Sequence, residues 1–198
     1  MVSAHLDALR AQLLEVVRSR PGALLHLDEP VQLASGDMSR DFVDAKRAVD
    51  LPDNLALAGR AMALAADEAG VRFEAVGGLL VGAAPFAFAV MAAARVPYFL
   101  VRKEPKGRGT NRHIEGTELT PGLPVMVVDD VVTRGSSIIR ACELVEAAGA
   151  RVAFATTLVD RGDATRAHFA GTGVAYDAIL TYRDLGIEPV GAQPAATH

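Results

Sequence analysis

The sequence contains a single cysteine, Cys142, which excludes an intrachain disulfide and a cysteine-based zinc cluster. Its apolar helical surroundings predict a buried, inert thiol. The histidines His5, His26, His113, His168 and His198 show no metal-ligand spacing. No Ser-His-Asp pattern stands out, and there is no glycine-lysine-serine or -threonine run of a Walker-type phosphate loop. Repeats, low-complexity tracts and linkers are missing too. The net charge of −4 gives no case for a nucleic-acid surface. The N-terminus, "MVSAHLDALRAQLLEVVRSR", carries charges every few residues and reads as an amphipathic helix, not a secretory signal, so the cytoplasm is the expected compartment. Ala75 to Ala94 lacks any charge, about the length of a membrane span. Gly77, Gly78, Gly82 and Pro85 break it into a strand, a turn and a buried helix, so no membrane span is expected.

What is present is a 198-residue chain that is 51% hydrophobic and 22% charged, enough for one folded domain with a substantial core. Leu6, Leu9, Leu13, Leu14 and Val17 fall at helical spacing. "ALLHLDEPVQLASG" reads as extended and "DFVDAKRAV" as a strand. A helix follows, with Asp53 or Asn54 as its cap and Gly70 as its stop. Beyond it strands and helices alternate: "FEAVGG", "PYFLVR", "LPVMVVD", "RVAFATTLVD" and "YDAIL" as strands, "APFAFAVMAAAR" and "SSIIRACELVEAAGA" as helices. Strands apolar on both faces, such as Val125 to Val128, predict an α/β fold with a central parallel sheet covered by helices on each side.

"VMVVDDVVTRGSS" carries the chemistry. In an open parallel sheet, ligands bind beyond the carboxyl ends of the strands, and Asp129 and Asp130 stand at such an end. A glycine loop leading into a helix turns N–H groups toward an anion, and the hydroxyls of Thr133, Ser136 and Ser137 can donate to it. The loop suits a phosphate. The acids suit sugar hydroxyls, or a magnesium ion held partly through water. Capping of the helix by Asp130 and Thr133 would explain one acid but not two. A second feature is cationic. Between Arg95 and Arg112 lie six basic residues and one acid, centred on Arg102, Lys103, Lys106 and Arg108. A glycine-rich basic loop between two strands has the properties of a lid that could neutralise a departing anion.

"VMVVDDVVTRGSS" closely resembles the phosphoribosyl-diphosphate signature of the type I phosphoribosyltransferases. "VRKEPKGRGTNRHIEG" resembles the catalytic loop of the orotate phosphoribosyltransferases within that family. "LASGDMSRDFVDAKRA", "TLVDRGD" and "VGGLLVGAAPFAFAVMAAA" resemble their substrate segment, their Asp-Arg segment and their glycine turn and helix. The resemblance spans roughly residues 31 to 186. It implies a single domain over residues 1–198 with a type I phosphoribosyltransferase-like fold, a mostly parallel sheet and a small N-terminal hood at about residues 20–50. It implies transfer of ribose 5-phosphate from phosphoribosyl diphosphate to orotate, as in pyrimidine biosynthesis. Magnesium would be the cofactor, bound through the donor and water near Asp129 and Asp130, with no firm protein ligands.

Residue by residue, the resemblance makes Lys103, Lys106, Asp129 and Asp130 catalytic. The donor would be held by Arg102, Lys103, Lys106, Arg108, Asp129, Asp130 and the loop Val131, Val132, Thr133, Arg134, Gly135, Ser136 and Ser137. Orotate would meet Phe42, Val43, Thr133 and Arg161. A homodimer is implied, with Lys103, Lys106 and Arg108 reaching the neighbouring subunit's site and Arg102 staying near its own. Position 108 is arginine where the family usually has histidine, which keeps charge but cannot shuttle a proton near neutral pH. Ala34 and Gly82 stand where some members have lysine, and Arg134 is bulkier than usual, at a position that can point to solvent. Two alternatives are a phosphoribosyltransferase for another base and a regulatory protein that senses phosphoribosyl diphosphate beside a nucleic acid. The retained lid cations and the negative net charge argue against the second.

Overall fold

The computed structural model describes residues 2–104 and 113–191. Helix α1 (Val2–Ser19) buries Leu6, Leu13 and Val17, the stripe expected from their spacing. Strands β1 (Leu24–Gln32) and β2 (Met38–Val43) then pair antiparallel as a two-stranded sheet of their own. Along β2 the residues alternate between exposed and buried, yet two of the buried three are Ser39 and Asp41. A polar inward face needs a polar partner, which Arg161 supplies below.

"DFVDAKRAV" is not strand throughout. β2 stops at Val43, the Asp44 carboxylate accepts the Arg47 N–H at 3.1 Å, and that cap starts the short helix α2 (Ala45–Ala48). Helix α3 (Pro52–Glu68) also departs from expectation. Leu51 is its cap, without a side-chain hydrogen bond, and Pro52 takes the first turn, where its missing N–H costs nothing. Asn54 instead donates its amide to the Ala48 carbonyl at 3.2 Å.

The main sheet contains β3 (Ala75–Leu79), β4 (Tyr98–Val101), β5 (Ile114–Gly116), β6 (Pro124–Val132), β7 (Arg151–Asp160) and β8 (Ala175–Thr181). Their order is β5-β4-β3-β6-β7-β8, parallel except for the antiparallel edge strand β5. Helices α4 (Ala84–Ala94), α5 (Ser136–Ala147), α6 (Ala164–Ala170) and α7 (Tyr182–Leu185) complete the chain. The expected α/β architecture is present. β5, α6 and α7, which the sequence pattern did not suggest, are three, seven and four residues long, too short to carry a clear period.

The central strand β6 shows why the sheet is covered twice. Met126 and Val128 enter one core with α1, α3 and α4. Val125 and Val127 enter the other with α5 and α6. Cys142 of α5 is buried there, and burial beside Glu146 and Glu143 pushes its thiol up to about 12. The uncharged stretch from Ala75 becomes β3, a turn and α4, and no described helix is long and apolar enough to cross a membrane.

Candidate active site

From β3 the chain passes through α4 to β4 on one side, whereas from β6 it passes through α5 to β7 on the other. The connections therefore diverge between β3 and β6, and a crevice opens beyond such a switch point. β3 pairs with β6 from Ala75–Val125 to Gly77–Val127 and no further. β6 continues against β7 as far as Val132–Asp160. Asp129 and Asp130 therefore lie within β6, not after it, where one of its edges is no longer covered.

Strand pleating sends adjacent side chains to opposite faces, so the two acids differ. Asp129 shares the face of Val125 and Val127 and is 4% exposed. Its Oδ1 accepts the Asp130 N–H at 3.0 Å, while its buried Oδ2 has no hydrogen-bond partner among the described residues. Burial and the Asp130 charge push its carboxyl up to about 8. Asp130 is more open. Its Oδ1 accepts the Val131 N–H at 2.7 Å, and its Oδ2 accepts Lys46 Nζ at 2.6 Å.

Lys46 was not singled out from the sequence. It arrives from α2, 84 residues away, and no local pattern marks it. The turn after β3 fits this arrangement. A Cβ built on Gly82 would lie 2.8 Å from Asp130 Oδ1, so a lysine there would drive its stem into the carboxylate. In this chain the cation beside Asp130 is Lys46 from α2.

The loop after β6 narrows to Gly135, whose φ of 76° places it in the left-handed region. Gly135 caps α5 with no side-chain hydrogen bond, so the helix begins at Ser136 with its first N–H groups uncapped by side chains. Ser136 and Ser137 are exposed on that first turn, and Val131 and Thr133 are partly buried beside the closed Val132. Arg134 is exposed but not unpaired. Its guanidinium forks onto Asp37 in the turn between β1 and β2, with Nε–Oδ2 at 3.0 Å and Nη2–Oδ1 at 2.6 Å.

Arg161 follows β7 and is 1% exposed. It donates from Nη1 to the Asp41 carbonyl at 2.8 Å and from Nη2 to Ser39 Oγ at 3.1 Å, filling the polar face of β2, while its Nε has no partner. Its own N–H donates to the Val132 carbonyl at 2.8 Å, which ties it to the phosphate-type loop. Phe42 and Val43 point to opposite faces of β2. Phe42 is 40% exposed, whereas Val43 belongs to the core on the α1 and α3 side. The side chains of these two residues are therefore not brought together.

On the far side of β3, the Arg102 N–H donates to the His113 carbonyl at 2.8 Å and its Nη1 to Glu115 at 3.3 Å. Lys103 is exposed. Lys106 and Arg108 lie outside the described residues. Among the described residues no group of three or more His, Cys, Asp or Glu side chains is arranged to hold a metal ion.

Comparison with known proteins accounts for this layout. The phosphoribosyl transferase domain matches residues 50–172. The orotate phosphoribosyltransferase of Rhodopirellula baltica is 39% identical over 166 residues, covering 79% of this chain and 86% of that protein. The Mycobacterium tuberculosis enzyme of the same name is 38% identical over 182 residues, covering 90% and 97%. A crystal structure of the latter with 5-phospho-alpha-D-ribosyl 1-diphosphate aligns with a TM-score of 0.73 at 34% identity, covering 90% of this chain and 99% of that one. An adenine phosphoribosyltransferase from Leishmania donovani, at 16% identity and a TM-score of 0.64, shares the fold alone.

Proposed function

From the premise that the chain belongs to the phosphoribosyltransferase family, and within it to the orotate phosphoribosyltransferases, we propose the following reaction. The enzyme transfers ribose 5-phosphate from phosphoribosyl diphosphate to a ring nitrogen of orotate, and orotidine 5′-phosphate and diphosphate leave. The observation that carries this reading is the acid pair at the uncovered edge of β6, contiguous with an uncapped helix start and tied to the β1–β2 hairpin through Arg134 and Arg161.

The loop Val131 to Ser137 holds the 5′-phosphate with backbone N–H groups and hydroxyls. Asp129 and Asp130 hold the ribose hydroxyls, and Lys46 yields Asp130 Oδ2 to the donor. The partnerless Asp129 Oδ2 and the partly open Asp130 fit a hydrated magnesium ion carried by the donor. That ion supplies charge neutralisation at the diphosphate. Arg102, Lys103, Lys106 and Arg108 add protein cations as negative charge develops on the leaving group. Orotate lies under the hood near Thr133, Phe42, the Val43 backbone and Arg161. The bond to diphosphate breaks as the ring nitrogen attacks the anomeric carbon, so the enzyme's work is alignment and stabilisation of charge.

The test is diphosphate release from the donor with magnesium and a panel of orotate, uracil, cytosine and purine bases. Turnover with orotate and little with the others is expected. Turnover of another base without orotate would overturn the acceptor while keeping the donor chemistry. No release with any base, alongside saturable donor binding, would favour a sensor.

The working form is a cytoplasmic homodimer in which Lys106 serves the partner's site. Lys106→Ala and Asp129→Asn/Asp130→Asn chains should each be inactive alone. Mixed and allowed to exchange, they should recover about a quarter of the wild-type rate per total site, as expected when half of the chains are in heterodimers with one complete site each. Verified heterodimers without recovery would show that Lys106 acts within its own subunit.

A further inference from the structure

Arg134 stands inside the donor loop, yet its charge is spent on the hood. Both fork nitrogens are on Asp37, whose side chain is 16% exposed. The turn that carries Asp37 is closed from within. The Leu33 N–H donates to the Asp37 carbonyl at 2.8 Å, and the Gly36 N–H to the Leu33 carbonyl at 2.9 Å. Such a turn moves as a unit, so holding Asp37 holds all of it. β2 is thereby fastened near its start by an arginine from the β6 loop, and along its inner face by Arg161 after β7. The Arg161 attachment is buried, whereas Arg134 is about half exposed, its side chain being 49% accessible. The fork is therefore the attachment that solvent and substitution can reach.

We propose that Asp37 and Arg134 form a positioning pair that aligns the acceptor-binding hood with the donor's phosphate loop. Neither residue touches a reacting atom. The loop's own N–H groups and hydroxyls hold the phosphate, and the fork sets where the turn of residues 33–37 rests above them. The inference rests on the phosphoribosyl transfer reading of this site. A bidentate guanidinium–carboxylate pair fixes both distance and angle, which a single contact would not.

Asp37→Asn should raise the KM for orotate about three- to tenfold while the donor KM changes less than about twofold. Added salt should raise the orotate KM of the wild type and leave that of Asp37→Asn/Arg134→Gln nearly flat. The exchanged pair Asp37→Arg/Arg134→Asp should recover most of the lost acceptor affinity. Should that variant fail to fold by circular dichroism, the Asp37→Asn, Arg134→Gln and double variants decide by additivity. A double variant no worse than either single supports the pair, and summed losses overturn it. An unchanged orotate KM in Asp37→Asn, or a larger change in donor KM than in orotate KM, also overturns it. If the wild type used a different base, the acceptor assignment would fail, and the same KM comparison with that base would still judge the pair.

Discussion

Asp129→Asn/Asp130→Asn should lower turnover by about a thousandfold or more, since each acid is lost from the place where the ribose and its cation are held. The fold should survive, because asparagine keeps the size of both side chains. Wild-type turnover in the double variant would show that the acids do not hold the donor. The single change Asp129→Asn has a second consequence. In the unfolded chain this carboxyl titrates near about 4, whereas in the folded chain it is pushed up to about 8. Between these values the folded state binds a proton that the unfolded state does not, so wild-type stability falls as pH rises through that window and levels off above it. Asparagine cannot ionise. Without donor or magnesium, the Asp129→Asn protein should melt above the wild type, by a margin that grows from pH 5 to pH 8. Thermal denaturation at the two pH values checks this, and a margin that shrinks with rising pH would refute it.

Arg161→Ala should lower kcat/KM for orotate by about ten- to a hundredfold, the usual effect of losing a charged hydrogen bond. Donor KM should change far less. Among the described residues Arg161 bonds to a carbonyl and a hydroxyl, and the nearby Asp41 carboxylate is directed at His26 at 2.8 Å. Burial draws the Arg161 pKa below the ordinary arginine value, and the Asp41 charge opposes this only in part. Orotate brings a carboxylate that would compensate it, and uracil does not. The loss should therefore be much smaller for any residual uracil turnover. Equal loss for both bases would mean that Arg161 only supports β2. Arg161→Lys, which keeps charge without the fork, should recover part of the orotate activity if charge matters and none if only the planar fork to Ser39 and Asp41 does.

The acid pair and its loop were legible because they are local. Residues 129 to 137 hold the acids, the glycine and the hydroxyls in one run, and the alternation of β6 between two cores shows directly as apolar sequence. The contacts that surround this run come from distant pieces. Lys46 meets Asp130 across 84 residues and Asp37 meets Arg134 across 97. No spacing rule spans such distances. Nothing in the sequence marks Ser39 and Asp41 as buried, and their burial makes sense only once Arg161 is beside them. Asp44, a capping residue before Ala45, was a usable signal that the reading of "DFVDAKRAV" as a strand did not take up.

Among the described residues the hairpin of β1 and β2 shares no strand pairing with the six-stranded sheet, and it meets the crevice through Asp37, Ser39 and Asp41. On the proposed reading this gives the chain two parts that can change separately: substitutions on the hairpin alter how the acceptor is held, while the strands proposed to handle the sugar phosphate stay as they are. A duplicated gene could then diverge in how it holds the acceptor without passing through an ancestor that had lost the donor.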